Sequence, residues 1–121
     1  MKPRSAKGKG RRLQNEVRDR LLKLFEGILE PDDIQAAIMG ESGVDIKLSP
    51  KARELFPYST ECKNREKLNI WSAFQQAEEN RKPGTAPIVV FKRNRSKTYV
   101  AMELEEFLKY IPLPPVLEDK K

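Results

Sequence analysis

The residues best placed to do chemistry lie in two short segments, Gly43-Val44-Asp45-Ile46 and Glu61-Cys62-Lys63. On a β-strand, residues two apart share a face. Glu61 and Lys63 therefore project side by side, while Cys62 turns inward. Val44, Ile46 and Leu48 alternate with Asp45 and Lys47, the period of a half-buried strand whose polar face carries Asp45. If the two strands pair, Asp45 and Glu61 converge. Neighbouring carboxylates repel unless a cation lies between them. Oxygen-only ligation suits Mg²⁺, with Mn²⁺ as a substitute. Such an ion polarises a phosphate and lowers the pKa of a water, and a lysine beside it stabilises developing charge. Glu16 lies roughly 100° from the centre of its helix's apolar stripe, at the edge of the buried face, and could complete the set.

Each of these residues also has a plainer reading. Taken alone, Asp45, Glu61 and Lys63 would more often be a solvated strand face or a cross-strand ion pair. Glu16 is flanked by Arg12 and Arg20 at i−4 and i+4, the spacing of a surface helix pair. Cys62 reads as a small core residue rather than a nucleophile, and Trp71 and Phe74 as core rather than base-stacking platforms. Gln75 and Gln76 are open between helix surface and substrate contact. The segment Lys92-Arg93-Asn94-Arg95-Ser96-Lys97 carries no acid and is either a solvated hairpin tip or a phosphate-binding edge.

Composition narrows the chemistry. The chain has no histidine and one cysteine, which excludes Ser-His-Asp and Cys-His triads, His-ligated zinc and an internal disulfide framework. Its 121 residues suffice for one domain with a hydrophobic core. The net charge of +6 is concentrated at the start, where Lys2, Arg4, Lys7, Lys9, Arg11 and Arg12 precede the first acid, Glu16. From Leu13 onward, 18 basic residues balance 18 acidic ones. No apolar run approaches the ~20 residues of a membrane span. The expectation is a cytoplasmic chain of a prokaryotic or phage-infected cell, with no membrane partner and no small-molecule cofactor.

The elements that must position these residues follow from periodicity. Residues 1–10 read as a flexible basic arm. Leu13, Val17, Leu21, Leu24, Phe25 and Ile28 recur at helical spacing over about Arg11 to Leu29. Strands are expected at Ile34–Met39, Val44–Leu48, Tyr58–Lys63, Pro87–Phe91 and Thr98–Met102. Ser49-Pro50 opens a short helical turn, Lys51–Leu55. Asn69 is the expected N-cap of a helix to about Asn80, with Ile70, Trp71, Phe74 and Ala77 inward. A last helix carries Leu104, Phe107, Leu108 and Ile111. Residues 11–111 form the expected domain and 112–121 a Pro-rich tail. The order α-β-β-β-α-β-β-α predicts an α/β fold with a mixed five-stranded sheet flanked by helices.

The order helix Glu, strand Asp, strand Glu-x-Lys, helix resembles the PD-(D/E)xK nuclease superfamily, with its restriction-endonuclease-like core. Glu41-Ser42-Gly43-Val44-Asp45-Ile46, Phe56-Pro57, Glu61-Cys62-Lys63-Asn64, Asn69-Ile70-Trp71, Gln76-Ala77 and Pro87–Ser96 resemble phage and archaeal-type Holliday junction resolvases over residues 9–111. Val44-Asp45 stands where the superfamily is named for Pro-Asp. The resemblance implies metal ligation by Asp45, Glu61 and the Cys62 main-chain carbonyl, with Glu16 as the family's first acid. It implies Lys63 as the catalytic lysine, Gln76 towards the site, and Ser42 near the scissile phosphate. Arg11, Arg12, Lys92, Arg93, Arg95 and Lys97 would grip DNA phosphates. The implied activity is Mg²⁺-dependent nicking of four-way junctions by a homodimer, leaving a 5′-phosphate. A broader nuclease for flaps, forks or single strands is the enzymatic alternative. A non-catalytic architectural DNA-binding protein is the other.

Overall fold

The computed structural model of the protein describes residues 6–38 and 40–118. Its elements are α1 (Ala6–Leu24), a 3₁₀ turn (Pro31–Asp33), β1 (Ile34–Ala36), β2 (Ile46–Leu48), α2 (Pro50–Leu55), β3 (Tyr58–Asn64), α3 (Ile70–Glu79), β4 (Ala86–Lys92), β5 (Tyr99–Met102), α4 (Leu104–Lys109) and α5 (Pro115–Glu118). Helix α1 starts before the periodicity predicts, so residues 6–10 of the expected arm continue the helix, and residues 1–5 lie outside the described residues. It also ends at Leu24, short of the expected Leu29. The strand expected over Ile34–Met39 closes at Ala36, and Met39 lies outside the described residues. Within the expected Pro-rich tail, Pro115–Glu118 forms the short helix α5.

The strands form two sheets, not the single five-stranded sheet expected. β1 and β2 pair antiparallel, while β3, β4 and β5 form the second sheet in that order. β3 runs parallel to β4 with Glu61 opposite Val89 and Lys63 opposite Phe91, and β5 returns antiparallel. The sheets meet at one residue. Asp45 N–H donates to the Thr60 carbonyl at 3.0 Å, and the Asp45 carboxylate accepts from Cys62 N–H at 2.7 Å. In a continuous ladder that Cys62 N–H would meet a neighbouring strand's carbonyl. A side chain takes it instead, and the ladder stops there.

Strand β4 is the centre of the fold. Its continuous apolar run is buried on both faces, as parallel strands require. Cys62, Ile88 and Val90 face α1, where Leu13 and Leu21 join Leu29, Ile34, Ile46 and Ala52 in the larger core. Val89 faces α3, where Ala73 and Ala77 pack with Leu68, Ile70, Phe74 and Phe91 around them. Asn69 caps α3 as expected, its side chain accepting from Trp71 N–H at 3.0 Å and Ser72 N–H at 3.2 Å. Ser49 caps α2, accepting from Ala52 N–H at 3.1 Å. Trp71, expected inward, is 82% exposed. At roughly 100° per residue it falls far from the Ala73–Ala77 seam, on the side of α3 that faces water.

This packing separates two apolar substitutions sharply. Leu13→Ala should lower the unfolding free energy by about 2–5 kcal/mol in urea titrations. Trp71→Ala should change it by less than about 0.5 kcal/mol.

Candidate active site

The three layers place Asp45, Glu61, Cys62, Lys63 and Gln76 along one cleft of about 220 Å³, with Gly10, Arg11 and Gln14 of α1 on its other wall. Each side chain is positioned by a nameable contact. Asp45 is clipped onto the free edge of β3 by bonds to residues 60 and 62, one on each side of Glu61. Gly40 and Gly43, at φ values of 87° and 101°, let the chain turn back so that Asp45 reaches that edge. Glu61 is only 1% exposed, held from α3 by Asn80, whose Nδ2 donates to Glu61 Oε1 at 3.0 Å. Lys63 donates from Nζ to Gln76 Oε1 at 2.7 Å, which ties the lysine to the same helix.

Burial and crowding set the charge states. Desolvation raises the Asp45 pKa, against the Cys62 N–H, the neighbouring Glu61 carboxyl, Lys63 and Gln14, which lower it. Desolvation also pushes Glu61 up to about 7, with the Asp45 charge adding to the rise and Asn80 and Lys63 opposing it. The Cys62 thiol is pushed up by burial and by both acids, so it stays protonated and inert. Its side chain is buried in the core, as the strand alternation predicts.

Among the described residues, no three His, Cys, Asp or Glu side chains form a metal cage. The two-carboxylate set still fits a hard cation on one specific ground. Glu61 Oε2 is buried and no hydrogen-bond donor reaches it. A buried carboxylate oxygen without a partner is costly. Mg²⁺ is ordinarily held by one or two carboxylates, with water and substrate phosphate completing its shell. Asp45 and Glu61 would hold such an ion. The Cys62 carbonyl leaves β3 on the same side as the N–H that Asp45 takes.

Other expected residues fall elsewhere. Glu16 does not line the cleft. It accepts from Thr98 Oγ1 at 3.2 Å, and Arg20 Nε lies 4.0 Å away. The reason is helical phase. Glu16 and Gln14 lie on opposite flanks of the α1 stripe, and Gln14 shares its side with Gly10 and Arg11. Gln14, not Glu16, is the α1 residue at the acids, and stepping back by three and four residues from Gln14 would have found it. Asn80 was also missed, having been read only as a helix end. Ser42 lines a neighbouring cleft of about 260 Å³ with Arg53, Ser59, Lys82 and Thr85, rather than the cleft of the acids.

The expected DNA-gripping residues are divided as well. Arg11 lines the cleft, whereas Arg12 lies beside Glu16 and Arg20 on the other flank of α1. Lys92 ends β4 opposite Asn64, and Arg93, Arg95 and Lys97 lie on the β4–β5 connection that follows, at the Lys63 end of the sheet. Arg65 N–H donates to the Lys92 carbonyl at 3.1 Å, and Asn94 N–H to Glu66 at 2.7 Å, so this hairpin abuts the β3–α3 loop. Asn64 Nδ2 donates to the Lys9 carbonyl at 3.3 Å, which brings the start of α1 to the same end. Chain-distant basic segments thus rim one end of the cleft. Among the described residues, no helix is long and apolar enough to cross a membrane.

Comparison with known proteins gives a match to a family. The family described as "Phage putative PDDEXK endonuclease" matches residues 5–112. No curated protein and no solved structure matches the chain significantly.

The Glu61 environment makes a stability prediction for the metal-free protein. A carboxyl whose folded pKa is about 7, against 4.5 ordinarily, binds more protons folded than unfolded between those values. Its contribution to stability is therefore greatest at low pH and is lost as pH rises from about 4.5 through 7. In EDTA, urea titrations at pH 5 and pH 8 should show wild type losing up to about 3 kcal/mol relative to Glu61→Gln across that interval.

Proposed function

The chain belongs to the phage PDDEXK endonuclease family, and from that membership we propose a divalent-metal-dependent DNA endonuclease that cuts branched DNA, four-way junctions foremost. The observation that carries the enzymatic part is the cleft itself: Asp45, Glu61 and Lys63 line one wall, and a buried Glu61 oxygen there lacks a donor. An architectural DNA-binding protein would have no use for that arrangement. The preference for junctions rests on the likeness of the motif series to Holliday junction resolvases. The basic rim beside the cleft supports a polyanionic substrate.

In this reading Asp45 and Glu61 would hold Mg²⁺, or Mn²⁺ in its place, and the Cys62 carbonyl could supply a further oxygen. When bound, the ion would polarise the scissile phosphate and make a water acidic enough to attack. The chain's own residues do the rest. Gln76 orients Lys63, whose ammonium lies beside the acids and meets the charge that grows on the phosphate in the transition state. Asn80 and the Cys62 N–H fix the two carboxylates before substrate arrives, so little reorganisation is left for the reaction. Gln14 and Arg11 close the cleft from α1, and the hairpin bases draw in the DNA backbone. Two symmetry-related cuts in one junction call for two copies of the site, hence a homodimer.

The assay is a labelled synthetic four-way junction with MgCl₂, run beside flap, fork, single-stranded and linear duplex DNA. Paired nicks in the junction and sparing of linear duplex are expected. Asp45→Asn, Glu61→Gln and Lys63→Ala should each lower the rate by at least about 100-fold, with junction binding retained by Lys63→Ala. Asn80→Ala should cost about 10–100-fold, as loss of a partner that orients a metal ligand does. Glu16→Gln should cut at the wild-type rate. Equal cutting of flaps and junctions would favour the broader nuclease, and absence of cleavage with both Mg²⁺ and Mn²⁺ would remove the enzymatic reading.

A further inference from the structure

A second cleft opens beside that of the acids, and no step of the proposed reaction uses it. It has a volume of about 260 Å³ and is lined by residues of β2, α2, the start of β3 and the α3–β4 loop. Glu41 lines both clefts, so the two share a wall. Ser59 of this cleft and Glu61 of the other lie two residues apart on β3, on one face and separated by roughly 7 Å. Three cations, Lys47, Arg53 and Lys82, line the cleft against one carboxylate, Glu41. That carboxylate is already engaged, by Lys47 Nζ at 2.8 Å and by Ile38 N–H at 2.8 Å. Among the described residues, no carboxylate lies within ion-pair distance of Arg53 or Lys82.

Both of these cations are placed by specific bonds. Arg53 Nη1 donates to the Leu48 carbonyl at 3.0 Å, which fixes the guanidinium while using one of its several N–H donors. Lys82 stands on a loop whose backbone is held from the sheet. Its N–H donates to Ser59 Oγ at 2.9 Å, its carbonyl accepts from Thr85 Oγ1 at 2.6 Å, and the two hydroxyls bond to each other. Ser59 and Thr85 are each only 3% exposed. Buried hydroxyls cost stability unless they are hydrogen-bonded, and this pair meets that need by fixing residue 82. Two buried polar side chains thus set the backbone of one exposed lysine at the wall of the cleft.

We propose that this cleft is an anion subsite for the DNA strand, in which Arg53 and Lys82 hold a backbone phosphate next to the linkage at Asp45 and Glu61. It rests on the nuclease reading for the identity of the strand. The step of roughly 7 Å along β3 corresponds to one or two nucleotides, at a rise of about 3.4 Å each. A guanidinium and an ammonium brought from different elements suit the oxygens of a phosphodiester. A metal ion would meet positive side chains and a carboxylate that Lys47 already occupies. The basic rim lies at the Lys63 end of β3 and this cleft at the Tyr58 end, so a strand crossing the acids meets cations on both sides. Contacts of this kind carry no base sequence; they fix the register of the strand, and so which linkage lies over the acids.

Fluorescence anisotropy of the full chain on a labelled four-way junction in EDTA, between about 50 and 200 mM salt, tests it. Arg53→Ala combined with Lys82→Ala should weaken binding at least about 5-fold and lower the slope of log K against log salt by about 1, the count for one phosphate. Lys23→Ala combined with Lys51→Ala removes the same charge from outside both clefts and should leave the slope unchanged. Junctions carrying one neutral methylphosphonate at each linkage near the branch then locate the phosphate. One position should weaken wild type and leave the double variant unaffected. If loss of the Arg53–Leu48 bond unfolds the double variant, Lys82→Gln alone carries both measurements, because that side chain is exposed. A wild type that does not bind, an unchanged slope, an equal fall in the control pair, or a variant as sensitive as wild type at every neutral linkage would overturn the proposal. Cleavage is read separately with Mg²⁺, so a protein that binds in this way and never cuts counts only against the nuclease reading.

Discussion

The clip between Asp45 and the free edge of β3 is the contact on which the fold and the site both turn. Asp45 spends its backbone N–H on the Thr60 carbonyl and its carboxylate on the Cys62 N–H. Its own carbonyl accepts from Ala37 N–H at 2.8 Å, extending the β1–β2 hairpin. One residue therefore joins the two sheets and stops them from merging. A strand in its place would have satisfied the same edge with backbone alone and left no acid beside Glu61. The interruption of the sheet and the presence of the carboxylate are one structural event.

Glu61 shows the complementary constraint. A carboxylate at 1% exposure is tolerated where donors or charges meet it. Asn80 meets one oxygen, and the other has no donor. The result is a carboxyl raised towards neutrality beside a second acid that is itself raised. Such a pair is poised to take a cation, since a cation favours the ionised form of both. Lys63 lies beside them but is engaged by Gln76, so positive charge is held at the cleft without neutralising Glu61 through a direct ion pair.

Charge and apolarity are sorted by tertiary contacts rather than by sequence blocks. The basic rim draws on the start of α1, the β3–α3 loop and the β4–β5 hairpin, brought to one end of the sheet by Asn64 and the Glu66–Asn94 contact. The apolar stripe of α4 is exposed, while the end of that helix packs through Tyr110 on Tyr58 of β3.

Much was legible in the sequence because it rests on local rules. Alternation along Glu61-Cys62-Lys63 settled which side chains share a face, and the apolar run at β4 announced a strand buried on both sides. Asn69 and Ser49 marked helix starts because their side chains satisfy N–H groups a few residues away. What escaped depended on partners distant in the chain. The 40° between adjacent stripe positions leaves two flanks to a helix, and only the packing of α1 against β3 chose Gln14 over Glu16 for the site. Periodicity alone could not show that Trp71 lies outside the α3 seam or that α4 turns its stripe outward, because an amphipathic pattern reports that a face exists and not which surface covers it. Sequence determined the chemistry available and the face of each strand that carries it. Tertiary structure decided which acids meet, since convergence depends on how the chain turns at Gly40 and Gly43 and on one side chain taking an N–H from the neighbouring strand.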